Sequence, residues 1–231
     1  MVPALLAPFP VRPLRADAAG GALFLIWDGI GPETPADRLR AFAAPFLDAR
    51  IPVGVIADLP PAPDPALAGE LRSLFAADPA RVEPVMLVPG LAGLSPYFQR
   101  RAVSDAIGRL RGILGGAGGA AALSVATEGD GAANFDGLRA LGIRSLLAQS
   151  DVPAVTSGGC ALLEVCLAGG RRVAVADTPD PTPWIERALA APGWARLTFS
   201  MAGIAALSPQ EARLWALRAV DAISRELAAG G

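Results

Sequence analysis

Ala22-Leu23-Phe24-Leu25-Ile26-Trp27-Asp28-Gly29 is the stretch that decides the architecture. An unbroken apolar run that ends in a carboxylate and a glycine reads as a strand buried on both faces, with its C-terminal end opening into a loop. Parallel strands covered by helices have this pattern. An amphipathic helix follows. Thr34 is placed to cap it, with Pro35 at the first helical position and Asp37 in the first turn, and Leu39, Phe42, Ala43, Phe46 and Leu47 fall on one face. Ile51 to Leu59 is then a second strand, closed by the proline-rich turn Leu59-Pro60-Pro61-Ala62-Pro63.

Outward from this unit the alternation continues. The sequence predicts a helix over 65–77, a strand over 83–88, a helix over 95–114, a strand over 121–126, a helix over 134–141 and a strand over 145–149. A β-rich segment over 152–176 carries a hairpin turn at Ala168-Gly169-Gly170-Arg171. It is followed by a helix over 181–191, a strand over 195–200 and a last helix over 208–228 begun by Ser208 and Pro209. The glycine-rich stretch Gly115 to Gly119 comes after a helix and before a strand, so it ends a helix; a phosphate cradle needs the reverse order. About seven strands alternating with helices, and no dinucleotide fingerprint after the first, predict an α/β fold with a parallel β/α barrel in preference to an open doubly wound sheet. One domain over 1–231 is expected, with 1–20 as an irregular N-terminal extension.

The composition narrows the chemistry. The 231 residues include no histidine, and all 20 basic residues are arginine, so lysine is absent as well. This excludes a His-dependent triad, a His general base, the usual His zinc site, a phosphate-loop lysine and a lysine Schiff base. Carboxylates, hydroxyls, arginines and two cysteines remain. A net charge of −2, with arginines scattered apart from Arg100-Arg101 and Arg171-Arg172, gives no surplus to neutralise phosphates, and nucleic acid is not expected as a partner. The mean hydropathy of +0.42 comes from short runs broken by proline or charge, so no membrane span is expected. Met1 to Pro10 lacks a cationic start and is interrupted by Pro3, Pro8 and Pro10; no signal peptide is read there, and a cytoplasmic location is the default expectation. Cys160 and Cys166 bracket an extended segment that holds them roughly 20 Å apart, too far for a disulfide.

Working residues of parallel β/α proteins sit at the C-terminal strand ends and in the loops beyond them. That rule selects Trp27, Asp28, Glu33 and Thr34 after the first strand, Thr127, Glu128 and Asp130 after the 121–126 strand, and Gln149, Ser150, Asp151, Asp177, Asp180 and Ser200 later on. Asp28 with Glu128 or Asp130 has the makings of a glycosidase carboxylate pair, one member protonated and the other ionised. The plainer alternative has Asp28 accepting amides of its own Asp-Gly turn and Glu128 and Asp130 capping the next helix. Trp27 is a candidate sugar platform or a core aromatic. Glu33, Thr127 and Ser200 are candidate substrate contacts. Ser157 and Ser200 have no activating base and no nucleophile elbow. No spaced Asp/Asn/Glu run forms an oxygen cage for a cation, and no cofactor is expected.

The block from Leu23 to Ala57, with its strand ending in Trp27-Asp28-Gly29, the Thr34-Pro35 helix start and Ile51-Pro52-Val53-Gly54-Val55-Ile56-Ala57, resembles the opening of the polysaccharide deacetylase family. The resemblance implies an irregular (β/α)7 barrel. It also implies removal of acetyl groups from glycans by a divalent metal held by one Asp and two His, with a second Asp as base and a late His as acid. Asp28 matches the metal-binding Asp, while Trp27 stands where the base belongs. The His-x-x-x-His loop would fall near 87–94, where this chain has only apolar residues and glycines. The Arg-Pro-Pro-Tyr-Gly motif would fall at Val125-Ala126-Thr127-Glu128-Gly129, and Asn134-Phe135 to Gly142 resembles the helix after it. The late Leu-x-His would fall at Leu197-Thr198-Phe199, without its histidine. The implied protein is a deacetylase-like barrel stripped of metal chemistry, a pseudoenzyme that binds a glycan or a protein partner. The alternative is an active carbohydrate-directed hydrolase using Asp28 with Glu128 or Asp130. A third expectation is a purely structural protein whose strand-end cleft is filled by Trp27, Leu91 and Phe199.

Overall fold

A computed structural model describes residues 15–16, 22–57, 60, 62–79, 81–115, 124–128, 135–143, 145–149, 155–156, 159–167, 172–176, 180–190 and 194–229. Its strands are β1 (Arg15–Ala16), β2 (Ala22–Ile30), β3 (Val53–Ala57), β4 (Val82–Leu87), β5 (Ser124–Glu128), β6 (Ser145–Gln149), β7 (Val155–Thr156), β8 (Gly159–Leu167), β9 (Arg172–Ala176) and β10 (Trp194–Ser200). The helices are α1 (Ala36–Asp48), α2 (Pro65–Ala77), α3 (Pro96–Leu114), α4 (Phe135–Arg139), α5 (Thr182–Leu189), α6 (Met201–Ala205) and α7 (Pro209–Ala229).

Six strands run parallel in the order β6-β5-β4-β3-β2-β10, as the alternation of strands and helices predicts. Beyond β10 the sense reverses: β8 lies antiparallel to it, and β9 and β7 lie antiparallel to β8. The antiparallel β8–β9 pair is what a hairpin around 168–171 requires, and 168–171 themselves lie outside the described residues. Among the described residues no ladder joins β6 to β8 or β9, so the (β/α)7 expectation is met as a six-stranded parallel β/α sheet extended by an antiparallel hairpin. Arg15–Ala16, inside the stretch expected to be irregular, pairs antiparallel with β2. The rest of 1–20 lies outside the described residues.

Both faces of the sheet are covered, which is why β2 reads as a continuous apolar run. Alternation along the strand sends Leu25 and Trp27 of β2, Val53 and Val55 of β3, and Leu197 and Phe199 of β10 into the large core beneath α1 and α7. Phe24, Ile26, Ile56, Val85 and Ala126 form a smaller cluster on the opposite face. A third cluster lies under α3 and α4, around Met86, Leu91, Val103, Val125 and Leu138. The first is keyed by aromatics: Trp27 meets Phe42 and Phe46 edge-on at 5.3 and 5.4 Å, and Phe199 meets Trp215 edge-on at 5.5 Å.

Local chemistry moves several boundaries. Thr34 does not cap α1. Its hydroxyl accepts the Gly31 amide at 3.1 Å inside a tight turn, and Pro35 becomes the residue before the helix. At the other end Ile51 donates to the Phe46 carbonyl and Arg50 to that of Leu47, a Schellman closure in which Arg50 takes the left-handed φ of 55° usually left to glycine. The strand expected at 121–126 is described over Ser124–Glu128 and runs two residues further, which puts Thr127 and Glu128 inside it; 121–123 lie outside the described residues. Ser208 and Glu211 form a reciprocal capping box at the start of α7, each side chain accepting the other's backbone amide. The short α6 is not expected from the sequence.

Candidate functional site

The C-terminal ends of β2 and β10 meet where the parallel register sets Asp28 beside Ser200. Asp28 stands half-buried within β2, at the irregularity of register between Trp27 and Ile30, and its Oδ1 accepts the Gly29 amide at 2.7 Å. Gly29 turns with φ +77°, and a Cβ there would stand 3.8 Å from the Ala202 amide nitrogen; the turn therefore favours glycine on conformational rather than steric grounds. Asp28 thus accepts the neighbouring amide as the plainer alternative expects, but at an irregularity inside the strand and not in a turn beyond it. Ser200 is similarly engaged, its Oγ accepting the Gly203 amide at 3.4 Å and capping α6. Glu33 is exposed in the loop between β2 and α1.

Trp27 corrects an expectation. It has 0% exposure and lies among the α1 aromatics, on the face opposite Asp28, so it presents no surface for a sugar to stack on. Phe199 occupies the same layer. The cleft is therefore not filled by Trp27 and Phe199, which are core of the helix-covered side. Leu91 is also fully buried, but in the cluster under α3 and α4.

Glu128 closes β5 opposite Gln149 of β6. β5 stands three strands from β2, about 14 Å along the sheet at ordinary strand spacing. A carboxylate pair works at roughly 5–9.5 Å between carboxyl groups, shorter than this backbone spacing by a length that the two side chains would have to span. Asp130, Ser150, Asp151, Ser157 and Asp177 lie outside the described residues. Asp180 belongs to the start of α5, where Oδ1 accepts the Thr182 amide at 3.0 Å; hydrogen bonds from Thr182, side chain first and backbone second, hold its carboxyl below the usual range.

The loop after β4 shows how the mouth is lined. Val88 and Leu91 turn away from it into the cluster with Val103 and Leu138, while Pro89, Gly90 and Leu94 remain outside. Gly90 makes the turn with φ +65°. No group able to ligate a metal or move a proton enters from these residues.

One feature escaped the sequence reading. Along β10, Ala195, Leu197 and Phe199 join the core, so Arg196, Thr198 and Ser200 share the other face with Phe24, Ile26 and Asp28. Arg196 is only 6% exposed, and the buried Thr198 Oγ1 has no hydrogen-bond partner among the described residues. The register places Glu164 of β8 across from Thr198. A polar stripe therefore runs along β10 toward Asp28. Alternation of Arg, Thr and Ser with Ala, Leu and Phe was the available signal. What the strand-end face offers chemically is hydrogen bonding by a carboxylate and neighbouring hydroxyls.

The fold is that of a parallel β/α protein. A crystal structure of a provisionally assigned polysaccharide deacetylase from Mycobacterium smegmatis superposes on 96% of this chain and 89% of its own, with a TM-score of 0.51 and 12% sequence identity. At that identity the likeness is one of fold. No protein-family profile matches the chain, and no curated protein does.

Proposed function

We propose that this protein is a polysaccharide deacetylase-like pseudoenzyme that binds a glycan or a protein partner at its strand-end face without metal-dependent deacetylation. The observation that carries the reading is the loop after β4. Where the resemblance calls for two imidazole ligands, Val88 and Leu91 pack beneath α3 and α4, and the chain has no histidine to place there. A hydrolytic metal needs several protein ligands and a base for its water. Asp28 would supply one ligand, and the position of the base is taken by the core residue Trp27. The similarity of fold to the provisionally assigned deacetylase supports the scaffold half of the reading.

The test is acetate release from acetylated chitooligosaccharides and acetylated xylan with added zinc or cobalt, alongside retention on immobilised glycans. We expect release at the buffer rate for wild type and Asp28→Asn alike, and retention that Asp28→Asn weakens. Metal-dependent acetate release would overturn the reading. Glycosidic cleavage lost in both Asp28→Asn and Glu128→Gln would establish the carboxylate mechanism in its place.

A further inference from the structure

We infer that the start of α3 is a docking surface for an anionic phospholipid bilayer. Three large apolar side chains stand out from the protein within one turn of each other: Leu94 is 39% exposed, Tyr97 60% and Phe98 54%. They are held there by the fold. The buried Gln99 reaches back with Nε2 to the Leu94 carbonyl at 3.0 Å, and the Tyr97 and Phe98 rings meet edge-on at 5.3 Å. Helical spacing then sets Arg100 and Arg101 on the same stripe as Tyr97, with Arg111 further along it.

The charges on this stripe have no partner of their own. Several arginines elsewhere among the described residues are paired, Arg38 with Asp37, Arg40 with Glu70, Arg81 with Asp78 and Arg225 with Asp221, while others such as Arg50 and Arg213 stand singly. Arg100, Arg101 and Arg111 make no ion pair among the described residues, and Asp105, one turn beyond Arg101, does not reach it. A patch of cations in a chain of net charge −2 complements an anionic surface. The apolar members decide which one. An aliphatic Leu94 offers nothing to a sugar hydroxyl, and two rings inclined at 77° do not make the flat platform on which a sugar ring lies. Leucine, tyrosine and phenylalanine beside donor-only guanidiniums suit the boundary between acyl chains and phosphate headgroups. The patch follows the C-terminal end of β4, so docking turns the strand-end face toward the bilayer.

The experiment is co-sedimentation of the full chain with vesicles of phosphatidylcholine alone and with about a third phosphatidylglycerol, at low and high salt. Circular dichroism would check that each variant is folded. Binding is expected only to the anionic vesicles and should weaken with salt. At about fivefold per basic residue, Arg100→Gln with Arg101→Gln should lower the partition roughly twenty-five-fold, and Tyr97→Ala with Phe98→Ala should remove what binding persists at high salt. Equal binding to neutral vesicles, no binding to anionic ones, or folded variants that bind like wild type would each overturn the inference. So would retention on an acidic polysaccharide such as alginate without vesicle binding, which would assign the stripe to a soluble polymer.

Discussion

Trp27 shows how much one position in β2 carries. Its ring is enclosed by Phe42 and Phe46, yet its Nε1 is buried with no hydrogen-bond partner among the described residues. An orphaned donor costs about 1–3 kcal/mol, whereas emptying an aromatic site costs about 3–5 kcal/mol. Trp27→Ala should therefore lose that larger amount in urea unfolding. Trp27→Phe, which leaves a smaller void and removes the orphan, should stay within about 1 kcal/mol of wild type. A loss for Trp27→Phe clearly beyond that margin would mean that the indole N–H is satisfied. At this scale the sequence was half legible: an apolar run ending in Asp-Gly marked a strand end, but which face each side chain takes depends on the layer above it. Trp27 has the residue type of a surface platform but the position of a core ring, whereas an aspartate before a glycine already shows a carboxylate able to accept its neighbour's amide.

The helices obey local chemistry that a sequence displays more openly. Ser208 and Glu211 carry a capping box three residues apart, and the structure closes it in both directions. The hydrogen bonds from Ser208, hydroxyl first and amide second, hold the Glu211 carboxyl below its usual range. A lowered folded-state pKa means that this contribution is complete above the unfolded value, about 4.3, and fades as pH falls through the lower folded one. The gap in urea midpoint between wild type and Glu211→Gln should accordingly be wider at neutral pH than in acid. Asp37 and Asp180 are lowered in the same direction, so the difference from the variant, and not the wild-type curve alone, isolates Glu211. A gap unchanged on acidification would show that the box is not made in solution. The element the sequence hid is α6. Met201–Ala205 is short, apolar and continuous with β10, and nothing in its composition distinguishes a helical turn from more strand.

Across the molecule, strand order was the least legible property, because pairing partners are set by register over long separations and not by neighbours in the chain. The six parallel strands follow from the repeated β/α units, whereas the reversal at β8 does not. Cohesion is distributed in the same way. Trp215 of α7 packs on Phe42 of α1 and on Phe199 of β10, so the last helix closes the layer that covers the first strand. A chain ending at Ser208 should expose these rings, bind a hydrophobic dye such as anilinonaphthalene sulfonate and lose its single cooperative calorimetric transition. A sharp transition without dye binding would show that the sheet holds its shape without α7. The reversal at β8 carries a practical consequence. Leu167 lies across from Ala195 at the beginning of β10, while Leu163 faces Phe199 next to Ser200. The link from β8 to β9 therefore leaves from the pole opposite Asp28, about 17 Å away along the strand, and a fluorophore or affinity handle grafted there would report on the protein without crowding the face where a ligand arrives.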